Sequence, residues 1–595
     1  MKALLSGNEA IARGAYECGV RFAAGYPGTP STEILEEFSR YEGVYAEWSP
    51  NEKVALEVGI GAALAGEKAL VTMKHVGLNV AADPLFTVSY TGINGALVIV
   101  SADDPSMHSS QNEQDNRNYA KFAKVPLLEP ADSEEASRFV KLAFALSKEF
   151  DTPVILRTTT RVSHSKGIVE LKEPEPYVDN RMIELNAAKY VMVPAMARQR
   201  RLEVEKRMQA LKAFAETFPE NRLEMANPEI GIITAGMCYN YAKSQFPDFS
   251  YLKLGMVHPL PVQLIRDFAS RVKRIYVIEE LDPFIEEQVK ALGIEVMGKE
   301  RFPYTGEFDP GIVYESITGK KIPVLAPPDV ALPPRPPNLC PGCPHRGLFY
   351  ILGKLKVFVT GDIGCYTLAF MKPLEGLHSC ICMGASIGMA HGMSQALKEK
   401  GRGKIVGVIG DSTFLHSGIP PLMNVAYNKG EAVIVICDNR TTAMTGMQDH
   451  PGTGFTLQGA ATKAVSYEAL GKVLGLDSVR VVDPYNLEET ERVLKEELNR
   501  PGSSLVISRR ACVLYRREGE RKEPFWVAEE KCIGCRRCLD IGCPALSWID
   551  FSGLPEGSYK KVAKKQKGRA VIDPDACTGC SVCAQLCKSK AIVQG

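Results

Sequence analysis

The chain has 595 residues, too many for one hydrophobic core; at about 100–200 residues per domain, three to five domains are expected. Its apolar (45%) and charged (24%) fractions are those of globular proteins, which excludes wholesale disorder and collagen-like structure. With 71 Lys and Arg against 70 Asp and Glu the net charge is +1, without the basic excess of a dedicated nucleic-acid binder. No apolar run approaches about 18 residues, so no membrane span is expected. The opening MKALLSGNEAIARGAYECG places acidic residues and glycines where a secretory signal needs an apolar core, so a cytoplasmic chain is expected.

In chain order, residues 1–180 alternate helical and strand-like stretches and read as an α/β domain. LVTMK from Leu70 and ALVIVSADD from Ala96 are continuous apolar runs ending in polar turns, as buried parallel strands do. GAALAGEKA from Gly61 reads as a small-residue helix packed against them. Residues 181–227 are charged with helical apolar spacing, an amphipathic connector rather than a basic binding helix. Over 228–322, IGIITAG and RIYVIEE mark a second α/β unit. A proline-dense linker, 323–338, is unsuited to helix or central strand. Residues 339–518 form a third α/β unit whose strands VFVTGD, KIVGVIGD and AVIVICDN each end in Gly-Asp or Asp-Asn. The tail, 519–595, is cysteine-rich, and the basic stretch YKKVAKKQKGR between its halves reads as a solvated loop.

The seventeen cysteines change the picture. A disulfide framework suits a short secreted domain, and this chain is long with an odd number of cysteines. Grouped thiolates in a reducing compartment point instead to metal. One run holds Cys532, Cys535, Cys538 and Cys543; the other holds Cys577, Cys580, Cys583 and Cys587. Three thiolates at two-residue spacing wrap one corner of an iron–sulfur cube, whereas structural zinc favours paired CxxC or Cys/His. The tail resembles a bacterial two-cluster ferredoxin, in which each run's last cysteine serves the other cluster. That resemblance implies one [4Fe–4S] cluster on Cys532, Cys535, Cys538 and Cys587, and another on Cys577, Cys580, Cys583 and Cys543. Two departures are a four-residue gap before Cys543 and Lys588, rather than proline, after Cys587.

Upstream, Gly410-Asp411 and Asn439 close two successive strands about 28 residues apart. An ordinary βαβ turn gives this pattern too. It resembles the thiamine-diphosphate motif, which implies Mg²⁺ held by Asp411, Asn439 and the carbonyl of Thr441; Ser412 replaces the usual glycine. Hard oxygens suit Mg²⁺ and its neutralising role on a diphosphate. The turns at Gly361-Asp362 and Gly384-Ala385-Ser386 offer N–H groups to phosphate. Glu52 opens a small-residue helix, as does the Glu that such enzymes place beside N1′ of the aminopyrimidine; a helix-start Glu favoured by the macrodipole is the plain reading. GYPGTPS resembles the YPxTPS segment of 2-oxoacid:ferredoxin oxidoreductases, which implies that Thr29 contacts the substrate carboxylate; a proline-rich turn is the alternative. Cys340, Cys343, Cys365 and Cys512 match the CxGC, GC and late Cys of pyruvate-type enzymes, implying a possible third cluster, with buried structural cysteines as the alternative. Cys18, Cys238, Cys380, Cys382 and Cys437 fit no pattern and are expected in the core; His75 and His378 read as structural strand-end residues.

Together GYPGTPS, NEKVALEVGIGAALAG, MKHVGLNVAADPL, CPGCPHRG and the two cysteine runs resemble the large subunits of the indolepyruvate:ferredoxin oxidoreductase family across nearly the whole chain. The resemblance implies an α/β protein with two thiamine-diphosphate-binding folds (pyrimidine, 1–180; diphosphate, 339–518), a transketolase C-terminal-like domain and a small α+β ferredoxin domain. It implies oxidative decarboxylation of arylpyruvates with thiamine diphosphate, Mg²⁺ and two or three [4Fe–4S] clusters. Coenzyme A takes the acyl group, ferredoxin takes the electrons, and a smaller beta subunit completes the enzyme. The alternatives are a non-oxidative thiamine decarboxylase or ligase, and an electron-transfer subunit with a decayed thiamine site.

Overall fold

The computed structural model describes all residues except 180, 183, 324–334, 516, 518–521, 556–558 and 595. Most of the proline-dense linker and the boundary near 518 therefore lie outside the described residues. Two compact units are formed: Met1–Asp329 with Leu457–Gly459, and Val330–Thr456 with Ala460–Gly595.

The first unit is built on a seven-stranded sheet. Its spatial order is Met256–His258, Leu127–Leu128, Val154–Thr159, Ala96–Asp103, Lys68–Lys74, Phe22–Gly25 and Tyr45–Trp48. All neighbours are parallel except Met256–His258, which runs antiparallel to Leu127–Leu128. Strand Ala96–Asp103 is buried at every position, as its unbroken apolar run requires between two helical layers. Helix Glu52–Leu64 is capped by Asn51, whose side chain accepts from the N–H of Val54 at 2.9 Å. It lies close on the sheet because residue 59 is glycine: a Cβ there would stand 2.4 Å from Val71 Cγ2. The helix stops earlier than GAALAGEKA suggests. Gly66 turns the chain at φ +92°, a conformation that L side chains avoid, and Lys68 and Ala69 already belong to the next strand.

The connector carries helix Pro194–Ala215, which buries Val204, Met208, Leu211 and Ala215 at helical spacing. Its one buried cation, Arg207, donates to the Ser89 carbonyl at 2.7 Å. Next comes a four-stranded sheet ordered Arg274–Ile278, Asn227–Ala235, Phe249–Leu254 and Arg222–Glu224, the last antiparallel. Strand Met256–His258 then returns to the edge of the seven-stranded sheet, so residues on either side of the connector share one unit.

The seam between these sheets is charged. Arg117, 1% exposed, donates to Asp115 Oδ2 at 2.5 Å, to Glu279 Oε2 at 2.6 Å, and to the carbonyls of Glu280 and Asp282. Arg157 beside it bonds Asp103 at 2.7 Å and Glu129 at 2.6 Å. Buried ions persist only when paired and hydrogen-bonded.

The second unit holds a six-stranded, all-parallel sheet ordered Ser379–Cys380, Phe358–Gly361, Ile405–Gly410, Val433–Asp438, Ser504–Arg509 and Ser478–Val482. The tail adds two antiparallel pairs, Phe525–Val527 with Ile592–Gln594 and Leu546–Asp550 with Gly568–Ile572. The basic stretch between the cysteine runs is largely an exposed loop, pinned by buried Gln566, which donates to the Cys532 carbonyl at 2.9 Å.

Replacing Arg117 with Leu strands Asp115 and Glu279 as uncompensated buried charges. The expected loss is about 3–5 kcal/mol, read from the urea midpoint of the first unit; an unchanged midpoint would show that the charges relax at no cost.

Candidate functional site

In the second unit, Asp411 and Asn439 follow adjacent parallel strands, paired through Gly410 and Cys437. Their oxygens converge. The amide oxygen of Asn439 faces the Thr441 carbonyl oxygen at 2.8 Å and both carboxylate oxygens of Asp411 at 3.2 Å. With the oxygen on that side the three acceptors have no proton between them, whereas the amide turned over donates its NH₂ to the other two groups. A divalent cation satisfies them without that rotation. With Mg–O near 2.0–2.1 Å, neighbouring ligands of an octahedron stand about 3.0 Å apart, close to the spacing seen. The donor set therefore fits Mg²⁺. The carboxylate is aimed by backbone N–H groups: Arg440 donates to Oδ2 and Ser412 to Oδ1, each at 2.8 Å. His450 Nε2 lies 3.4 Å from Oδ2.

The turn at Gly384–Ser386 is used differently from its reading as a phosphate cradle. The N–H of Gly384 donates to both oxygens of Asp362 at 3.0 Å, and that of Ser386 to Oδ2 at 3.2 Å. Asp362 is fully buried; burial pushes its pKa up to about 6 against the pull of these bonds. A carboxylate cut off from water needs donors, and it takes those nearest.

In the first unit, Glu52 is 5% exposed at the head of its helix. Its carboxylate lies over Gly77, where a Cβ would come within 2.7 Å of Glu52 Cγ and Oε1. Thr29 follows strand Phe22–Gly25, and its carbonyl accepts from the Ser109 hydroxyl at 3.3 Å. Lys74, absent from the sequence reading, ends the strand before Gly77 and donates to the Ser109 carbonyl at 2.8 Å. The one signal for it was a lysine at the end of the LVTMK run. Buried His75 meets the carbonyl and side-chain oxygens of Asn112 at 3.2 and 3.1 Å. His378 accepts from the Val359 N–H at 3.0 Å and stacks on Phe358, both ordinary packing.

The tail cysteines surround two cavities. One is lined by Cys532, Cys535, Cys538 and Cys587, with Trp548 among its walls. The other is lined by Cys577, Cys580, Cys583 and Cys543, with Phe525 and Ile572. The last cysteine of each run thus sits with the other run's triplet. The Ala591 N–H donates to Cys587 Sγ at 3.2 Å; burial opposes ionisation there, but this bond and those from Ser589 and Ile592 outweigh it and lower the thiol's pKa. Among the described residues no three His, Cys, Asp or Glu side chains are placed to hold a single metal ion.

Cys340, Cys343, Cys365 and Cys512 also come together. Burial pushes Cys343 up to about 12 and Cys365 to about 11, and both feel Cys340. Cys340 and Cys512 line a cavity of about 1100 Å³ that reaches Cys580, and Cys343 forms part of the wall around the second tail cavity. The Cys512 N–H donates to the Asn439 carbonyl at 2.9 Å, which ties this group to the oxygen cluster. Of the unassigned cysteines, Cys18, Cys238 and Cys437 are buried as expected. Cys380 is half-buried and Cys382 exposed, because strand Ser379–Cys380 is short and lies at the sheet edge.

The two cysteine regions are locked by shape. Gly342, at φ +68°, lies against Thr578: a Cβ would stand 2.0 Å from its hydroxyl. Buried Arg346 donates to the carbonyls of Cys340, Ile541 and Gly542, at 3.1, 3.2 and 2.6 Å.

Three family models match the chain: pyruvate flavodoxin/ferredoxin oxidoreductase, thiamine diphosphate-binding, over 13–226; thiamine pyrophosphate enzyme, C-terminal TPP-binding domain, over 362–508; and a 4Fe-4S dicluster domain over 531–591. The chain is similar to indolepyruvate oxidoreductase subunit IorA of Archaeoglobus fulgidus, at 43% identity over 99% of this chain and 97% of that one. The Pyrococcus horikoshii subunit is 42% identical over 98% and 96%. A solved 2-oxoglutarate:ferredoxin oxidoreductase from Magnetococcus marinus covers 53% of this chain and 65% of its own, at 14% identity and TM-score 0.44.

Gly342→Ala is expected to weaken the docking of the two cysteine regions through both the clash and the left-handed φ. Adding Thr578→Ala relieves only the clash. The double variant should regain part of the lost unfolding midpoint; no recovery would place the whole cost in the backbone.

Proposed function

This chain belongs to the indolepyruvate oxidoreductase IorA family, a thiamine-diphosphate-dependent iron–sulfur oxidoreductase, and we propose that it is the large subunit of an arylpyruvate-oxidising enzyme. The reaction catalysed is arylpyruvate + CoA + 2 oxidised ferredoxin → aryl-acetyl-CoA + CO₂ + 2 reduced ferredoxin + H⁺. Indolepyruvate, phenylpyruvate and hydroxyphenylpyruvate are the substrates, a smaller beta subunit completes the enzyme, and the complex works in the cytoplasm. What carries this reading is the convergence of the Asn439 side-chain amide on the Asp411 carboxylate and the Thr441 carbonyl within 2.8–3.2 Å, which supports a Mg²⁺–diphosphate site.

When bound, thiamine diphosphate supplies the nucleophilic carbon and the electron sink that decarboxylation of a 2-oxoacid needs. Asp411, Asn439 and the Thr441 carbonyl hold the cation that offsets the diphosphate charge. Glu52, kept from water at its helix start, holds a proton at N1′ of the aminopyrimidine. The Thr29 hydroxyl hydrogen-bonds the substrate carboxylate. Cys532, Cys535, Cys538 and Cys587 hold one [4Fe–4S] cluster, and Cys577, Cys580, Cys583 and Cys543 a second, as one-electron acceptors. Cys340, Cys343, Cys365 and Cys512 hold a third between the oxygen cluster and the tail. The domain limits follow the sequence: pyrimidine-binding to 180, diphosphate-binding 339–518, ferredoxin-type from 519. The presence of Glu52 at its helix start and of Asp411 and Asn439 at their strand ends speaks against an electron-transfer subunit with a decayed thiamine site.

Asp411→Ala should abolish Mg²⁺-dependent thiamine diphosphate binding, whereas Glu52→Gln should keep the cofactor and lose about 10²–10⁴-fold in turnover. Normal thiamine content in the first variant, or near-native turnover in the second, would reject the corresponding role. Substrate class is tested on the two-subunit complex with a viologen acceptor, with and without coenzyme A. The expected result is CoA-dependent reduction with kcat/KM for indolepyruvate well above that for pyruvate; equal values reject the aryl assignment, and turnover without acceptor reduction favours the non-oxidative reading.

A further inference from the structure

We propose that Lys74 is the cation that receives the carboxylate of the 2-oxoacid, an inference that rests on the reading of this chain as a 2-oxoacid oxidoreductase. Lys74 is the last residue of strand Lys68–Lys74, level with Ala102 of the neighbouring strand. It therefore stands at the carboxyl-terminal edge of the parallel sheet, where open α/β sheets bind their ligands.

Three observations place it at the substrate. Its stem runs along Gly28, where a Cβ would come within 3.3 Å of Lys74 Cγ and Cδ, so the residue before Thr29 has no side chain where the lysine passes. Its ammonium and Thr29 share Ser109, through the carbonyl at 2.8 Å and the hydroxyl at 3.3 Å. Glu52, the residue read as acting on the cofactor, is close enough, with Asp104, to favour the charged ammonium.

The other cations of this edge are already neutralised. Arg157 pairs with Asp103 and Glu129, Arg161 with Glu307, and His164 with Glu33. Among the described residues Lys74 forms no ion pair, and its hydrogen-bond partner is a neutral carbonyl. Asp104 does not take up the ammonium, because its oxygens accept from the Ser109 N–H and the hydroxyls of Ser110 and Thr160. An ammonium has three donors, and one is engaged. The two left, with the Thr29 hydroxyl, match the acceptor pattern of a carboxylate. Burial holds the free ammonium down to about pKa 8, against the opposing pull of Asp104 and Glu52, so an arriving anion finds a poorly hydrated cation.

A purely structural role, pinning the 104–110 loop through Ser109, is separable. Lys74→Gln keeps a donor for the Ser109 carbonyl and removes the charge; Lys74→Arg keeps the charge. In the two-subunit holoenzyme, Lys74→Gln is expected to raise KM for phenylpyruvate about 10- to 100-fold, with kcat within about threefold and thiamine content unchanged; Lys74→Arg should stay within about fivefold of wild type. Wild-type kcat/KM should fall as pH rises through about 8, where the free enzyme's Lys74 loses its proton with Glu52 and Asp104 facing it, and the arginine variant should lack that fall. An unchanged KM in Lys74→Gln, or a loss confined to kcat, overturns the assignment alone. A wild-type complex that oxidises no 2-oxoacid overturns the parent reading and this one with it.

Discussion

A parallel strand buried on both faces can carry polar chemistry only where it ends. Its interior must be apolar, its backbone groups are used by its neighbours, and all its neighbours end at the same edge. Both large sheets obey this constraint, and the functional residues follow from it. In the first unit, the ends of Phe22–Gly25, Lys68–Lys74 and Ala96–Asp103 deliver Thr29, Lys74 and Asp104, and the next helix start delivers Glu52. In the second, the ends of Phe358–Gly361, Ile405–Gly410, Val433–Asp438 and Ser504–Arg509 deliver Asp362, Asp411, Asn439 and Cys512.

The glycines that matter serve the same edges. Gly77 leaves room for the Glu52 carboxylate, and Gly28 for the Lys74 stem. A Cβ at either would displace a charged group rather than simply crowd the core, so these positions bear on chemistry more than on stability. Gly342 works at a different level: its missing side chain lets the CPGC turn touch the CTGC turn of the tail. Arg346 adds a second tie, from the CPGC turn to the segment before Cys543, by binding carbonyls on both, a use of five fixed donors that lysine does not reproduce. Within the second unit, a continuous series of cysteines thus runs from beside Asn439 to the tail.

Charge is handled in two ways. The Arg117 and Arg157 network is charge-paired: each guanidinium meets carboxylates, which suits a buried seam. The sites are open. Asp411 and Asn439 meet at a polar cluster of side-chain and carbonyl groups, and Lys74 spends its one hydrogen bond on a neutral carbonyl. Groups left in that state cost folding energy, so they persist where a ligand completes them.

Much was legible in the sequence because it depends on local spacing. Runs such as ALVIVSAD define strands, CxxCxxC defines three ligands on one loop, and Gly-Asp followed by Asp-Asn marks two strand ends; each is a property of a few consecutive residues. What spacing cannot carry is which distant groups meet. That Asp362 takes the N–H groups of Gly384 and Ser386 depends on two strand ends being neighbours and on the burial of the carboxylate. Lys74 looked like one lysine among many until the sheet put Gly28 beneath its stem and Ser109 at its tip. The sequence by itself determined the elements, the cofactor motifs and the family, because those are written in residue type and interval. Only the tertiary structure decided which donors are free, which are taken and which cysteine lines which cavity, because these depend on contacts between residues far apart in the chain.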